Sequence, residues 1–433
     1  FSNGPSPDRS VMLPFMNVAT ISWSILIGTL GPTPADSLEG SRPNIVIIMT
    51  DDQGKGDLSC HGHPVLKTPH LDRMHAESLR FTQFFVSPTC SPTRASLLTG
   101  RHEFKSGVTH TINERERLAL STTTLPQLLQ QAGYATGIFG KWHLGDEDPY
   151  QPNRRGFDES FIHGAGGIGQ SYPGSCGDAP DNKYFDPALR HNGTFVKTKG
   201  YCTDLFFNAA TRWIEDRAKT DQPFFALITP NAPHSPLVSP GERYNAIYRD
   251  QLLNGKKLSS DAVAYFSMIS NIDDNIGQFQ QTIRRLGIDR RTLVIYLTDN
   301  GGTFTKLFSS GMRGGKGTPY EGGTRVSSFW QWPGRLASGR DVSALAAHID
   351  LLPTLCELAG ATLPVDLKID GRSLLPILSQ PETNWPDRYL FTHVGRWEKG
   401  KASESKYRQC AIRSNRFRLV NNIELYDLTS DPG

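Results

Sequence analysis

Two short stretches of this chain end alike, and that likeness restricts the fold more than any other feature. Asn44–Met49 (NIVIIM) runs into Thr50-Asp51-Asp52, and Thr292–Leu297 (TLVIYL) runs into Thr298-Asp299-Asn300. Unbroken apolar runs of this length, rich in β-branched residues, mark strands covered on both faces, as in a parallel sheet packed between helices. Two more strands are predicted at residues 134–139 and 223–229. The first leads into Gly140-Lys141-Trp142-His143 and the second into PNAPHSP, which carries His234. Carboxylates at the end of a buried strand are costly unless a cation or hydrogen bonds compensate them. In open α/β sheets that carboxyl edge is also where ligands bind. The fold class is therefore α/β, with a large central, mostly parallel sheet flanked by helices. One edge of it gathers Asp51, Asp52, Lys141, His143, His234, Asp299 and Asn300.

Between these strands lies Cys90-Ser-Pro-Thr-Arg94-Ala-Ser-Leu-Leu-Thr-Gly100. It predicts a short helix over residues 95–98, whose start would place free N–H groups and the positive dipole end beside Cys90, a ready anion site. Arg94, one turn in, can fold back towards Cys90. Further helices are expected at 68–81, 125–132, 204–219 and 345–360. The longest one places Val263, Phe266, Ile269, Ile272, Ile276, Phe279, Ile283 and Leu286 on an apolar face, starting at a Ser259/Ser260 cap and stopping at Gly287. His61, His63, His70 and His75 have no common ligand spacing and read as surface or loop residues. Glycines crowd around Lys316 in RGGKGTPYEGG, so backbone can approach a ligand there, although the spacing is not that of a phosphate-binding Walker loop. Residues 146–202, rich in glycine, proline and asparagine, read as a long functional loop or insertion and not a separate domain. From about Trp385 short alternating runs predict a small C-terminal α+β subdomain with an antiparallel sheet. The expected division is a leader over 1–41, a catalytic domain over 42–384 and a partial subdomain over 385–433, truncated at YDLTSDPG.

Net charge is +3 with the signs interspersed, so nothing suggests a nucleic-acid partner. Six cysteines in 433 residues do not make a disulfide framework. Cys176 and Cys202 flank the glycine-rich stretch and suit either a disulfide or two free thiols. The uncharged apolar run at 18–30 is shorter than the ~20 residues that span a bilayer. With GPTPADS behind it, and Met12 or Met16 ahead, it reads as the core of a secretory signal over about 12–35. A secreted or periplasmic protein without a stable membrane anchor is expected.

Cys90, Pro92 and Arg94 form the pattern C-x-P-x-R, and Gly133 to Gly145 reads G-Y-x-T-x-x-x-G-K-x-H-x-G. Together these resemble the two signatures of the type I sulfatases, arylsulfatase-like members of the alkaline phosphatase superfamily. The resemblance runs from Pro43 to about Gly360. It implies that a dedicated maturation enzyme oxidises Cys90 to formylglycine, whose hydrate is the nucleophile towards a sulfate monoester. It also implies that Asp51, Asp52, Asp299 and Asn300, with residue 90, hold one Ca²⁺ or Mg²⁺, an all-oxygen set suited to a hard cation. Arg94, Lys141, His143, His234 and Lys316 match the catalytic and sulfate-binding set. A bare thiol would serve poorly, because its sulfated adduct has no second hydroxyl with which to expel sulfate.

Two other readings remain open at this level. A phosphonate or phosphate monoester hydrolase uses a pocket of similar size and charge, and a non-catalytic sulfated-glycan binder would result if Cys90 stayed a thiol. A thiol phosphatase is disfavoured, since its C-x₅-R loop needs arginine where Ser96 stands. A carbohydrate sulfate is the expected substrate, with His163, Tyr172, Tyr320, Arg325 and Trp397 as candidate residues of the pocket mouth.

Overall fold

Ten strands form one sheet in the computed structural model, which describes residues 37–170, 178–179 and 181–431. Its centre is five parallel strands in the order Thr292–Thr298, Asn44–Thr50, Phe224–Thr229, Ala135–Lys141 and Glu159–His163. Antiparallel strands extend both edges. Ser328–Gln331 and Leu79–Phe81 lie beyond Thr292–Thr298, and the hairpin Ala188–His191/Thr194–Lys197 lies beyond Glu159–His163. Arg340–Val342 closes the first edge.

Alternation along the central strands feeds two separate cores, as pleating requires. Ile45, Ile47 and Met49 face one core, built with Ala95, Leu97 and Leu98 of the helix Cys90–Thr99, the helix Leu125–Gln131 and the helix Leu351–Ala359. Val46 and Ile48 face the other, built with the helices Pro69–Glu77, Cys202–Arg217 and Ser260–Arg285. Ser259 caps the longest helix, its Oγ accepting from Ala262 N at 3.2 Å, and Gly287 follows its end in the left-handed region at φ 67°.

Several expectations are corrected. The Cys90 helix is ten residues long, with Cys90 itself as its first residue. The helix expected over 68–81 stops at Glu77, and Leu79–Phe81 turns into a strand, its β-branch-poor sequence captured by pairing with Ser328–Gln331. Residues 346–347 pair with Phe84–Phe85 instead of opening the helix Leu351–Ala359. The stretch 146–202 is more than a loop, since it contributes three strands of the main sheet. Those strands are four or five residues long and separated by glycines and prolines, so no window shows their period. His63 stands in a loop, as expected, but buried, edge-on to Phe266 and Phe308. Cys202 is buried, whereas Cys176 and the signal-like segment 12–35 lie outside the described residues. No helix among the described residues is long and apolar enough to cross a membrane.

The expected antiparallel sheet near the C-terminus has four strands, Leu390–His393, Cys410–Arg413, Phe417–Val420 and Glu424–Asp427. It is tied to the short helix Glu321–Thr324 through Glu321, a buried carboxylate five residues beyond Lys316. Glu321 lies 2.9 Å from both Arg413 and Arg418 of this small sheet. Removing a carboxylate that serves two buried guanidinium groups leaves charge uncompensated, at about 3–5 kcal/mol. Glu321→Ala should lower the unfolding free energy by that amount, read as a lower urea midpoint at constant slope. Arg313→Ala, which breaks an exposed pair with Glu424, should leave the midpoint nearly unchanged.

Candidate active site

The register of the two central strands determines the centre of the site. Thr50 pairs with Thr298, so Asp51 and Asp299 leave the sheet edge side by side. Asp299 N donates to Thr50 O at 3.0 Å, and Asp52 N donates to Asp299 Oδ1 at 3.2 Å. All three carboxylates are buried, and each meets one cation from a different element. Lys141, the last residue of its strand, donates to Asp51 Oδ2 at 2.6 Å. Arg94, on the Cys90 helix, donates to Asp299 Oδ2 at 2.9 Å and to the Lys141 carbonyl at 2.7 Å. Lys316, from the glycine-rich loop, donates to Asp52 Oδ2 at 2.7 Å. His234 Nε2 stands 3.7 Å from that same oxygen.

This pairing leaves oxygen atoms over. Asn300 Nδ2 donates to Asp52 Oδ1 at 2.9 Å and to Gly301 O, which turns its Oδ1 away from both. Asn300 Oδ1 and Asp51 Oδ1 are buried without a hydrogen-bond partner. Each such atom costs about 1–3 kcal/mol. The ligand atoms of Asp51, Asp299 and Cys90 lie within 4.8 Å of one another, as do those of Asp51, Asp52 and His234. Buried ligand atoms clustered this closely, with Asp51 Oδ1 left without a partner, fit a divalent cation, which would satisfy that oxygen.

Burial pushes the Asp299 carboxyl up to about 7, reinforced by the charge of Asp51 and opposed by Arg94 and Lys141. Burial likewise raises Asp51, against the pull of Lys141. Asp52 goes the other way. Burial would raise it, but Lys316, His234 and Lys141 hold it below the usual carboxylate range. Burial would also lower Lys316, yet Asp52 and its neighbours keep it above its ordinary value, a lasting positive charge.

The two histidines are fixed in complementary ways. His143 Nε2 lies 2.8 Å from the Thr111 carbonyl, an acceptor only, so the proton sits on Nε2 and the buried Nδ1 keeps a bare lone pair. Burial, then Lys141, pushes its pKa well down, so the ring is neutral. His234 Nδ1 donates to the Ser235 carbonyl at 2.7 Å, which leaves Nε2 towards the carboxylates. Burial takes His234 to about 4, with Asp52 opposing and Lys141 and Lys316 reinforcing.

A cleft of about 310 Å³ opens onto Cys90, His143, His234 and Lys316. Gly166 lines it, and a Cβ on Gly166 or Gly167 would stand within 2.9 Å of a His143 or His234 ring atom. All ten expected site residues thus converge. The proposed mouth does not. His163 is buried against Phe206, Tyr320 bonds Glu424, Arg325 is held by Thr82 O, and Trp397 packs on Phe104 and His393. Tyr172 lies outside the described residues. The cleft's rim is instead His110, Thr111, Ile112, Gln170 and Arg396, which no motif singled out. Also missed were Tyr265 and Asp57. Tyr265 donates to the Asp52 carbonyl at 3.0 Å and to Asp57 Oδ2 at 2.7 Å, and Asp57 accepts from Gly54 N. The only trace of them in the sequence is a polar hydroxyl beside the apolar stripe of the longest helix.

Comparison with known proteins agrees with this geometry. The sulfatase family model matches residues 43–361, and that for the C-terminal part of N-sulphoglucosamine sulphohydrolase matches 315–433. N-acetylgalactosamine-6-sulfatase of Rattus norvegicus is 33% identical over 374 residues, covering 82% of this chain and 68% of that protein. Arylsulfatase A of Homo sapiens is 32% identical over 438 residues, covering 90% and 82%. The crystal structure of Ps i-CgsB in complex with k-i-k-neocarrahexaose superposes with a TM-score of 0.79 at 27% identity, over 90% of this chain and 87% of that one. Two signatures, a matching fold and a convergent set of buried carboxylates and cations lead to one conclusion: this chain belongs to the formylglycine-dependent sulfatases, sulfuric ester hydrolases of the alkaline phosphatase superfamily.

Proposed function

We propose that the protein hydrolyses a sulfate ester of a carbohydrate, with formylglycine at position 90 and one Ca²⁺ held by Asp51, Asp52, Asp299 and Asn300. The observation that carries this reading is the position of Cys90, at a helix start beside Asp51 and Asp299, on the floor of a cleft that also holds two histidines and a lysine. Sugar substrates are suggested by the relatives, named for N-acetylgalactosamine 6-sulfate and for N-sulphoglucosamine, and by the carrahexaose bound to Ps i-CgsB. The oxygen-rich donor set favours Ca²⁺ over Zn²⁺. Maturation of Cys90 requires a separate oxidising enzyme, and the segment over 12–35 is read as the signal for export.

When bound, the cation supplies positive charge against the sulfate oxygens and lowers the proton affinity of the nucleophile. Formylglycine, as its hydrate, would supply one hydroxyl to attack sulfur, the S–O bond to the sugar breaking, and a second that gives up its proton and becomes the aldehyde oxygen as the C–O bond to sulfate breaks. The chain's own groups do the rest. Arg94 and Lys141 orient the carboxylates and balance the anionic charge in a buried setting, where each contact is worth more than in water. Lys316, permanently charged, stabilises the departing alkoxide. His234 delivers the proton from Nε2, and the negative charge of the bound ester raises the proton affinity that burial has lowered. His143, neutral with Nδ1 bare, is the base for the second hydroxyl.

Three experiments test this. In matured protein the Cys90 peptide should be lighter than its thiol form by ~18 Da, the balance of exchanging CH₂SH for CHO, and Cys90→Ala should be inactive in any host. Chelation should lower the melting temperature and Ca²⁺ should restore it, the binding contributing about 2.7 kcal/mol of stability at a hundredfold excess over Kd. Asp51→Asn should abolish that restoration; equal restoration in the variant would refute the assigned ligand. The histidines are separated by substrate. His234→Ala should lose ~10²–10⁴-fold on a sugar sulfate and far less on nitrophenyl sulfate, whose phenolate needs no proton. His143→Ala should release a burst of alcohol and accumulate sulfated enzyme, visible by intact mass. Equal losses for His234→Ala on both esters would remove its role as acid.

A further inference from the structure

Arg396 stands at the rim of the cleft with an unspent charge. It enters from the C-terminal side of the chain, far in sequence from the sheet edge. Its Nη2 donates to Thr111 Oγ1 at 3.2 Å, and among the described residues no carboxylate lies within ion-pair distance of it. Every cation on the cleft floor, by contrast, is matched by a carboxylate.

The segment bearing Arg396 is rigidly seated. Arg396 N donates to Thr109 O at 3.2 Å, and Gly395 adopts φ 68° where a Cβ would come within 2.2 Å of that carbonyl. The next residue, Trp397, lies under the Arg115 guanidinium at 4.9 Å, with Phe104 and His393 against its edges. Arg115 also donates to the Trp397 carbonyl at 2.6 Å. Arg396 itself takes φ 60°, a left-handed backbone that non-glycine residues adopt at a cost.

His110 completes the rim beside it. Its Nδ1 accepts from Thr111 N at 2.8 Å and from Ile112 N at 3.1 Å, so that nitrogen carries no proton. The ring proton is therefore on Nε2, and the neutral ring is a hydrogen-bond donor at the cleft. Burial, and then the charges of Arg396 and Arg115, push its pKa down to about 4, which keeps this tautomer in place across the neutral range.

We infer that Arg396 and the Nε2–H of His110 form a subsite for a second anionic group of the substrate, a sulfate or carboxylate on the same sugar or the next one. The inference rests on the sulfate-ester reading above and narrows it to substrates that carry more than one negative charge. A planar guanidinium is suited to paired contacts with such groups, and an uncompensated one at a cleft mouth selects for them. A singly charged ester would leave Arg396 with only Thr111 and water.

The test uses glucosamine 6-sulfate and glucosamine 2-N,6-O-disulfate, each as substrate and as competitor of nitrophenyl sulfate hydrolysis. Wild type should favour the disulfated sugar by roughly 10–100-fold in KM or Ki, the yield of one or two charge-assisted contacts. Arg396→Gln should erase most of that margin through KM while kcat moves by less than about threefold, and Arg396→Lys should recover part of it. His110→Ala should reduce the margin by a smaller factor. A wild-type enzyme indifferent to the second sulfate, or a margin that survives Arg396→Gln, overturns the subsite. Failure of matured wild type to release sulfate from any of the three esters would instead overturn the sulfatase reading.

Discussion

An ionised carboxylate buried without a partner is destabilised by more than a domain's whole folding free energy, and this sheet edge buries three. Asp51, Asp52 and Asp299 are tolerated because Lys141, Lys316 and Arg94 each neutralise one of them. The three cations come from a strand end, a loop and a helix that only the finished fold brings together. Ion pairs of this kind repay their desolvation only when geometry and hydrogen bonding are good. Here the pairing also leaves Asp51 Oδ1 and Asn300 Oδ1 unsatisfied. A divalent cation bound among these carboxylates would satisfy Asp51 Oδ1, so that stability and metal binding would draw on the same atoms.

Local strain serves the same end. Asp52 and His143 both sit in the left-handed region, at φ 64° and 59°, although neither is glycine. Such backbone persists where neighbours over-determine it. Tyr265 holds the Asp52 carbonyl, the Asp299 carboxylate holds its N–H, and Thr111 holds the His143 ring. With Gly166 and Gly167 pressed against the two histidines, little at the floor of the cleft can reorganise during a reaction. Fixed dipoles and charges of this kind stabilise a transition state without moving to do so.

The floor was legible in the sequence because its residues obey rules that act locally. Asp51, Asp299 and Lys141 are strand-end residues next to apolar runs, and Cys90 and Arg94 sit within one turn of a helix start, so periodicity and spacing suffice to place them. His234 and Lys316 were findable from proline- and glycine-rich loops that mark close backbone approach. The strands of 146–202 were not, because strands of four or five residues take their structure from a neighbour and not from their own pattern. Tyr265 and Asp57 were hidden for a related reason: their function is to hold Asp52, a partner far away in sequence.

The rim escaped sequence reasoning most completely, and its construction explains why. His110, Gln170 and Arg396 come from three loops separated by dozens to hundreds of residues, and each is positioned by contacts such as Gly395 against Thr109 that no local pattern announces. None of these residues neutralises a buried carboxylate, so the electrostatic demands that fix the floor do not reach them. A floor that must stay constant for the fold to be stable, beneath a rim free to change without that penalty, separates chemistry from substrate choice. On this view Arg396 belongs to the part of the molecule where related enzymes are expected to differ most, and the charge it leaves uncompensated is a property of what it binds.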